Sequence, residues 1–362
     1  MHNASIFTIY MVTRNAPIVN LHPPTYSNEE KSKIFDYFKE LKLDFIKSFL
    51  AQKELHRSGT KDQLIDEIRN HVENGKVSLS DLVNFLDNQI PYGKQHVYLY
   101  TGSESEVNNW RQAEYVRNIL RENDRLSYLS QKLHLILPSD LTLSSIEYHP
   151  GRDLKILAVQ RRDYIERRED LDPHDQTDEI EFHAYQHQVL RGLIIFYWDL
   201  ISNNARLQIT QLPSRGNYEE VETNFGQLVH PWLPFHSFEK LNLRPSITHL
   251  RNIENSTPEA RSQDISMVSL GGRKITVRSP TSQDSTTGEA VLDEALEHVH
   301  EIAIGHLGNF YWLPRTINTR PENILEDEVH TIIVGNRGRI NFMTPNRRED
   351  FEYVLSRVRS MC

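Results

Sequence analysis

Apolar positions in the first quarter of the chain recur at helical spacing. Ile34, Phe38 and Leu41 share a face, which Phe35 widens. Leu43, Ile46, Phe49 and Leu50 form a second face. Leu64, Ile65, Ile68 and Val72 form a third, and Leu79, Leu82, Val83, Leu86 and Ile90 a fourth. Two of these runs open on capping boxes, Ser27-Asn-Glu-Glu30 and Thr60-Lys-Asp-Gln63, where side chain and backbone satisfy each other's orphan groups. A further start lies near Ser78 or Ser80, and Pro91 stops the last run. The pattern predicts four short helices over residues 27–92, a small all-α domain closed by the turn Pro91-Tyr92-Gly93. Residues 1–26 hold Pro17, Pro23 and Pro24 without sustained periodicity, and read as a leader or an edge strand.

Beyond residue 93 the period shifts. His96–Tyr100 is strand-like, and Val107–Leu120 and Leu126–Leu133 are helical in pattern. From Leu135 strands dominate: LHLIL, LTLSSIEY and LKILAVQ, separated by Pro138-Ser139-Asp140 and His149-Pro150-Gly151. Residues 169–181 are acidic and read as a solvated loop. Val189–Leu200 and Ala205–Leu212 form a hairpin through Ser202-Asn203-Asn204. An irregular connection is expected over 226–245 and a polar segment over 252–264. A second hairpin turns at Gly271-Gly272, read as type I′, and a third at Gly335-Asn-Arg-Gly338. Between them the spacing predicts a helix from about Glu289 to Gly305, with Leu292, Ala295, Leu296, Val299, Ile302, Ala303 and His306 on its stripe. A last helix carries Phe351, Val354, Leu355 and Val358. The fold class expected is α+β: a small N-terminal helical domain, then a larger α+β body with antiparallel hairpins, divided as 93–250 and 251–362.

Composition narrows the picture. The 362 residues are 38% hydrophobic and 25% charged, no apolar run approaches a membrane span, and the apolar SIFTIYMV lacks the features of a signal peptide. The single cysteine, Cys362, excludes an internal disulfide and fits an intracellular compartment. A formal charge of -9 excludes a polycation that coats nucleic acid, so any such contact must be local.

The one segment with a chemical signature is the basic turn Arg57-Ser58-Gly59-Thr60-Lys61. Thr60 caps a helix whose outward amides can hold a phosphate beside Arg57 and Lys61, and Lys47 and Lys53 extend the surface. With Leu43, Ile46, Phe49 and Leu50 before the turn and Leu64, Ile65 and Ile68 after it, residues 43–70 resemble a SAP domain. SAP domains are helix–extended–helix modules of chromatin-, repair- and RNA-associated proteins. Glu54-Leu55-His56 departs from the Gly-Leu usual there. The resemblance implies duplex DNA, or RNA, as the partner, held by backbone and minor-groove contacts with little base reading. Residues 31–76 hold ten Lys/Arg against eight Asp/Glu, so the local surplus is two. The competing reading is an ordinary capped helix pair with a solvated face, or one recruited to protein contacts.

Other chemistry is thinner. Among 17 histidines, His183 and His187 share a side, with His174 and Asp178 nearby, but no third and fourth metal ligands are evident. His298, His300 and Glu301 lack zincin spacing, and His306 reads as a core histidine. Asp153, Glu166 and Glu169 could form a nuclease-like carboxylate set, but lack the accompanying lysine pattern. The arginine pairs 161–162, 167–168 and 347–348 have acidic neighbours and read as self-paired, and the aromatic clusters 232–238 and 310–312 read as core. There is no nucleophile elbow, P-loop or dinucleotide fingerprint, and nothing calls for a cofactor or metal. The reading is a nucleic-acid-associated protein without assigned catalysis. The alternatives are a metal-dependent nuclease or hydrolase, and a protein–protein adaptor.

Overall fold

The computed structural model describes residues 26–129, 138–168, 170, 183–213, 216–269, 271–289, 294, 298–299, 303–316 and 320–362. Helices α1 (Asn28–Glu40), α2 (Leu43–Gln52), α3 (Lys61–Glu73) and α4 (Leu79–Gln89) follow the predicted faces. They bury Ile34, Phe38, Phe49, Leu50, Leu64 and Leu86 in one shared cluster, with Phe38, Phe49 and Phe85 in mutual ring contact. The α1 box is present as predicted: the Ser27 N–H donates to Glu30 Oε2 at 2.7 Å and the Glu30 N–H to Ser27 Oγ at 3.2 Å.

The rest is a mixed α/β structure built on one antiparallel sheet. Its strands are β1 (Gln95–Thr101), β2 (Thr142–His149), β3 (Asp153–Arg167), β4 (Tyr185–Asp199), β5 (Asn204–Thr210), β6 (Glu239–Lys240), β7 (Ala260–Ser269), β8 (Lys274–Arg278), β9 (Ala303–Trp312), β10 (Val329–Val334) and β11 (Arg339–Phe342). Among the described residues the order is β2-β3-β4-β5-β1-β11-β10-β9-β7-β8, with the short β6 also beside β1. Helices α5 (Glu104–Trp110), α6 (Ala113–Glu122), α7 (Tyr218–Val229), α8 (Arg244–Ile253) and α9 (Arg348–Ser360) pack on it.

β1 is where the two halves meet. Successive side chains on a strand point to opposite faces, so Tyr98 and Tyr100 enter a core with α5, α6 and α7, while Val97 and Leu99 enter a second core with α8 and α9. Trp110, Trp198 and Trp232 meet in the first core, and Phe310 and Trp312 lie in the second. The aromatic clusters 232–238 and 310–312 therefore serve largely as core. Arg206 on β5 grips Glu352 on α9 with two 2.6 Å hydrogen bonds, fastening a helix of the second core to a strand of the first.

Several local expectations change. Where a helix is predicted to run to Gly305, strand β9 begins at Ala303, so His306 lies on a strand, half-buried. Most of the predicted stretch from Glu289, and the strand LHLIL, lie outside the described residues. The segments 226–245 and 252–264 contain the end of α7, the start of α8 and the first half of β7. In the β7–β8 turn only Gly272 of the glycine pair has positive φ (+77°), and its N–H donates to Ser269 O. Type I′ needs positive φ at both central residues, and Gly271 does not have it, so the expected type I′ turn on the glycine pair is not formed. No helix among the described residues is long and apolar enough to cross a membrane.

Candidate nucleic-acid interface

The segment Leu43–Glu73 is helix, extended linker, helix, and each junction has a local cause. α2 ends in a Schellman motif. The Leu55 N–H donates to Leu50 O at 2.8 Å and the Glu54 N–H to Ala51 O at 3.1 Å, while Leu55 packs against the helical core. That motif puts Glu54 in the left-handed region at φ 56°, a place that favours glycine. The departure of Glu54 from the SAP pattern is thus a side chain where the backbone geometry suits none.

The second junction sets α3. Thr60 Oγ1 accepts from the Gln63 N–H at 3.4 Å and the Thr60 N–H donates to Gln63 Oε1 at 2.8 Å, closing the predicted box. Gly59 precedes it at φ +143°, and a Cβ there would stand 3.0 Å from Gln63 Oε1. Glycine suits the backbone angle, and a Cβ would crowd the Gln63 side-chain oxygen that closes the box.

Of the seven residues singled out, Arg57, Ser58, Gly59 and Thr60 are exposed and Lys61 half-buried at the first turn of α3. Lys47 is half-buried on α2. Among the described residues, Arg57, Lys61 and Lys47 have no carboxylate partner. Lys53 is different: its Nζ lies 2.7 Å from Asp81 Oδ1. Asp81 also accepts from the Ser78 N–H at 2.9 Å and the Ser78 hydroxyl at 2.7 Å, and its own N–H donates to Ser78 Oγ at 3.1 Å. This is a third capping box, readable in the sequence as Ser78-x-x-Asp81. The Lys53 hydrogen bond, outweighing burial, holds the Asp81 carboxyl down to about 2. Lys53 thus ties the end of α2 to the start of α4, and three cations remain for an anion. At the linker His56 Nδ1 lies 3.4 Å from Glu67 Oε2, and His71 Nε2 lies 3.6 Å from Glu67 Oε1. One carboxylate therefore stands behind the turn.

Among the described residues, the metal and carboxylate alternatives are not assembled. His183 Nδ1 sits 2.6 Å from Arg167 Nη2, and His187 Nε2 lies 3.5 Å from Asp163. Asp153 is held by His149 at 2.5 Å and Arg152 at 2.8 Å. His174, Asp178, Glu169, His300 and Glu301 lie outside the described residues, and His298 is exposed. Among the described residues, no group of three or more His, Cys, Asp or Glu is placed to hold a metal ion. Arg161 pairs with Asp163, Arg168 with Asp170, and Arg347 with Asp350 and Glu326, so these arginines are already engaged.

The fold and site define a mixed α/β protein whose N-terminal part holds a capped helix–linker–helix with two cations, Arg57 and Lys61, at its turn. No family model and no curated protein matches the chain.

Proposed function

We propose that the chain is a nucleic-acid-associated protein whose SAP-like N-terminal helices hold duplex DNA, or RNA, by its phosphate backbone, the α/β body carrying a separate role. The observation that supports this most is the cluster at the start of α3. Gly59 and the Thr60 box set a helix N-terminus in the open, flanked by Arg57 and Lys61 with no carboxylate partner among the described residues. Lys47 extends it, and the engagement of Lys53 with Asp81 limits the contact to about three phosphates. An affinity built this way is backbone-directed, largely indifferent to sequence, and weak at physiological salt.

The test is binding of a fluorescent duplex to the full chain across a salt series. About three phosphate contacts give a slope of log K against log salt near -3, and Lys61→Glu should weaken binding and flatten the slope by about one. Binding that ignores salt, or that Lys61→Glu and Arg57→Glu leave unchanged, overturns the proposal.

A further inference from the structure

Strands β3 and β4 outrun the sheet. β2 pairs with β3 only as far as Val159, and β5 reaches β4 only from Ile194. Among the described residues, 160–167 therefore have 185–192 as their only ladder partner, a two-stranded ribbon flanked at its base by Pro138, whose carbonyl accepts from the Arg161 N–H at 2.7 Å. Directly opposed residues share a face, so Asp163 with Val189, Ile165 with His187 and Arg167 with Tyr185 form one surface. Ile165 is 68% exposed, Tyr185 62% and Val189 47%, half of the six exposed large hydrophobics among the described residues.

The same face continues inward as the buried Leu157, Val159, Leu193 and Ile195. There the N-terminal helices approach it: the Arg191 guanidinium lies 5.5 Å above the Tyr37 ring, and Ile195 and Phe45 line one cleft. Helices thus approach the inner, apolar end of a face whose outer end, beyond the Arg161–Arg191 pair, mixes exposed apolar and charged side chains. Exposed large apolar side chains gathered on one face point to an association site.

The charges select the occupant. A two-fold axis across the strands at Ile165 would set Ile165 on its own copy and Tyr185 against Val189 of the partner. It would also set Arg167 against Asp163 of the partner, twice over, in exchange for the exposed contacts that Arg167 makes with His183 and Asp163 with Arg161 and His187 within the chain. The face is thus self-complementary, as an isologous contact requires. We propose that this ribbon face is the contact through which two copies of the chain associate.

Sedimentation velocity of the full chain from about 1 to 100 µM tests it. A concentration-dependent dimer is expected, and Ile165→Asp should raise its dissociation constant about tenfold or more. Ile201→Asp, at another site 68% exposed, should not. Asp163→Arg should also weaken the dimer, and the exchange Asp163→Arg with Arg167→Asp should restore it. Positions 163 and 167 stand about 13 Å apart along one strand, so restoration must come from the other copy. A monomer at every concentration, a dimer untouched by Ile165→Asp, or failure of the double exchange to restore association overturns the proposal. So does an Ile165→Asp effect on duplex binding with no dimer present.

Discussion

Replacing Glu54 by glycine should stabilise the N-terminal helices. Glu54 occupies the left-handed position of the α2 Schellman motif, exposed, with φ 56°. Holding an L-residue with a Cβ there costs about 1–2 kcal/mol. Glycine removes that strain but adds freedom to the unfolded chain, returning about 0.4–1 kcal/mol. The net expected gain is about 0.5–1 kcal/mol, which slows local opening two- to fivefold, roughly. Because α1 to α4 have their own apolar cluster, amide exchange of the α2 and α3 amides in the full chain reads the effect directly. Glu54→Ala keeps the Cβ and should gain at most a few tenths of a kcal/mol, from removing a carboxylate at a helix C-terminus. If Glu54→Gly exchanges no more slowly than Glu54→Ala, the left-handed strain is not there and the account of this junction fails.

Thr60→Ala should cost about 1 kcal/mol through the lost α3 cap, and Gly59→Ala about 1–3 kcal/mol through its strained backbone, both read by denaturant unfolding. Asp81 ionises near 2 folded against an ordinary value of 3.8, so its contribution is complete above about pH 4 and fades as pH falls toward 2. Asp81→Asn should flatten stability across that window in an acid titration. Burial, then the Arg339 guanidinium, push His96 down to about 3 from an ordinary 6.5, while its ring stacks on Tyr218 at 3.7 Å. The neutral ring therefore favours folding above pH 6.5, an advantage lost progressively as pH falls toward 3. His96→Phe should remove that part of the acid sensitivity.

The N-terminal helices were legible because their causes are local. Two capping boxes and a 3.6-residue apolar period lie within a few residues of what they specify, and so does the third box at Ser78 and Asp81, which pattern reading can find. The engagement of Lys53 was not legible, since its partner sits 28 positions away on another helix. β9 misled for the opposite reason: Val299, Ile302, Ala303 and His306 keep helical spacing into a strand. Packing decides there, because α8 lies so close that a Cβ on Gly305 would stand 2.9 Å from Ile247 Cγ2. The ribbon was half legible. LKILAVQ marks a strand, but nothing local says that it continues to Arg167 beyond its neighbours.

The position of β1 bears on how the chain is made. It precedes β11 by more than two hundred residues, yet most of one of its edges closes only on β11, where Val97 meets Ile340, the short β6 pairing with just Tyr100 and Thr101. Until β11 emerges, the nascent chain must hold that edge open while α1 to α4, whose contacts are local, have already folded. Pairings of such sequence separation form slowly, and exposed strand edges invite aggregation. The order of synthesis thus lets the N-terminal helices form before the junction of the two half-sheets, and leaves that junction exposed until the last strands are made.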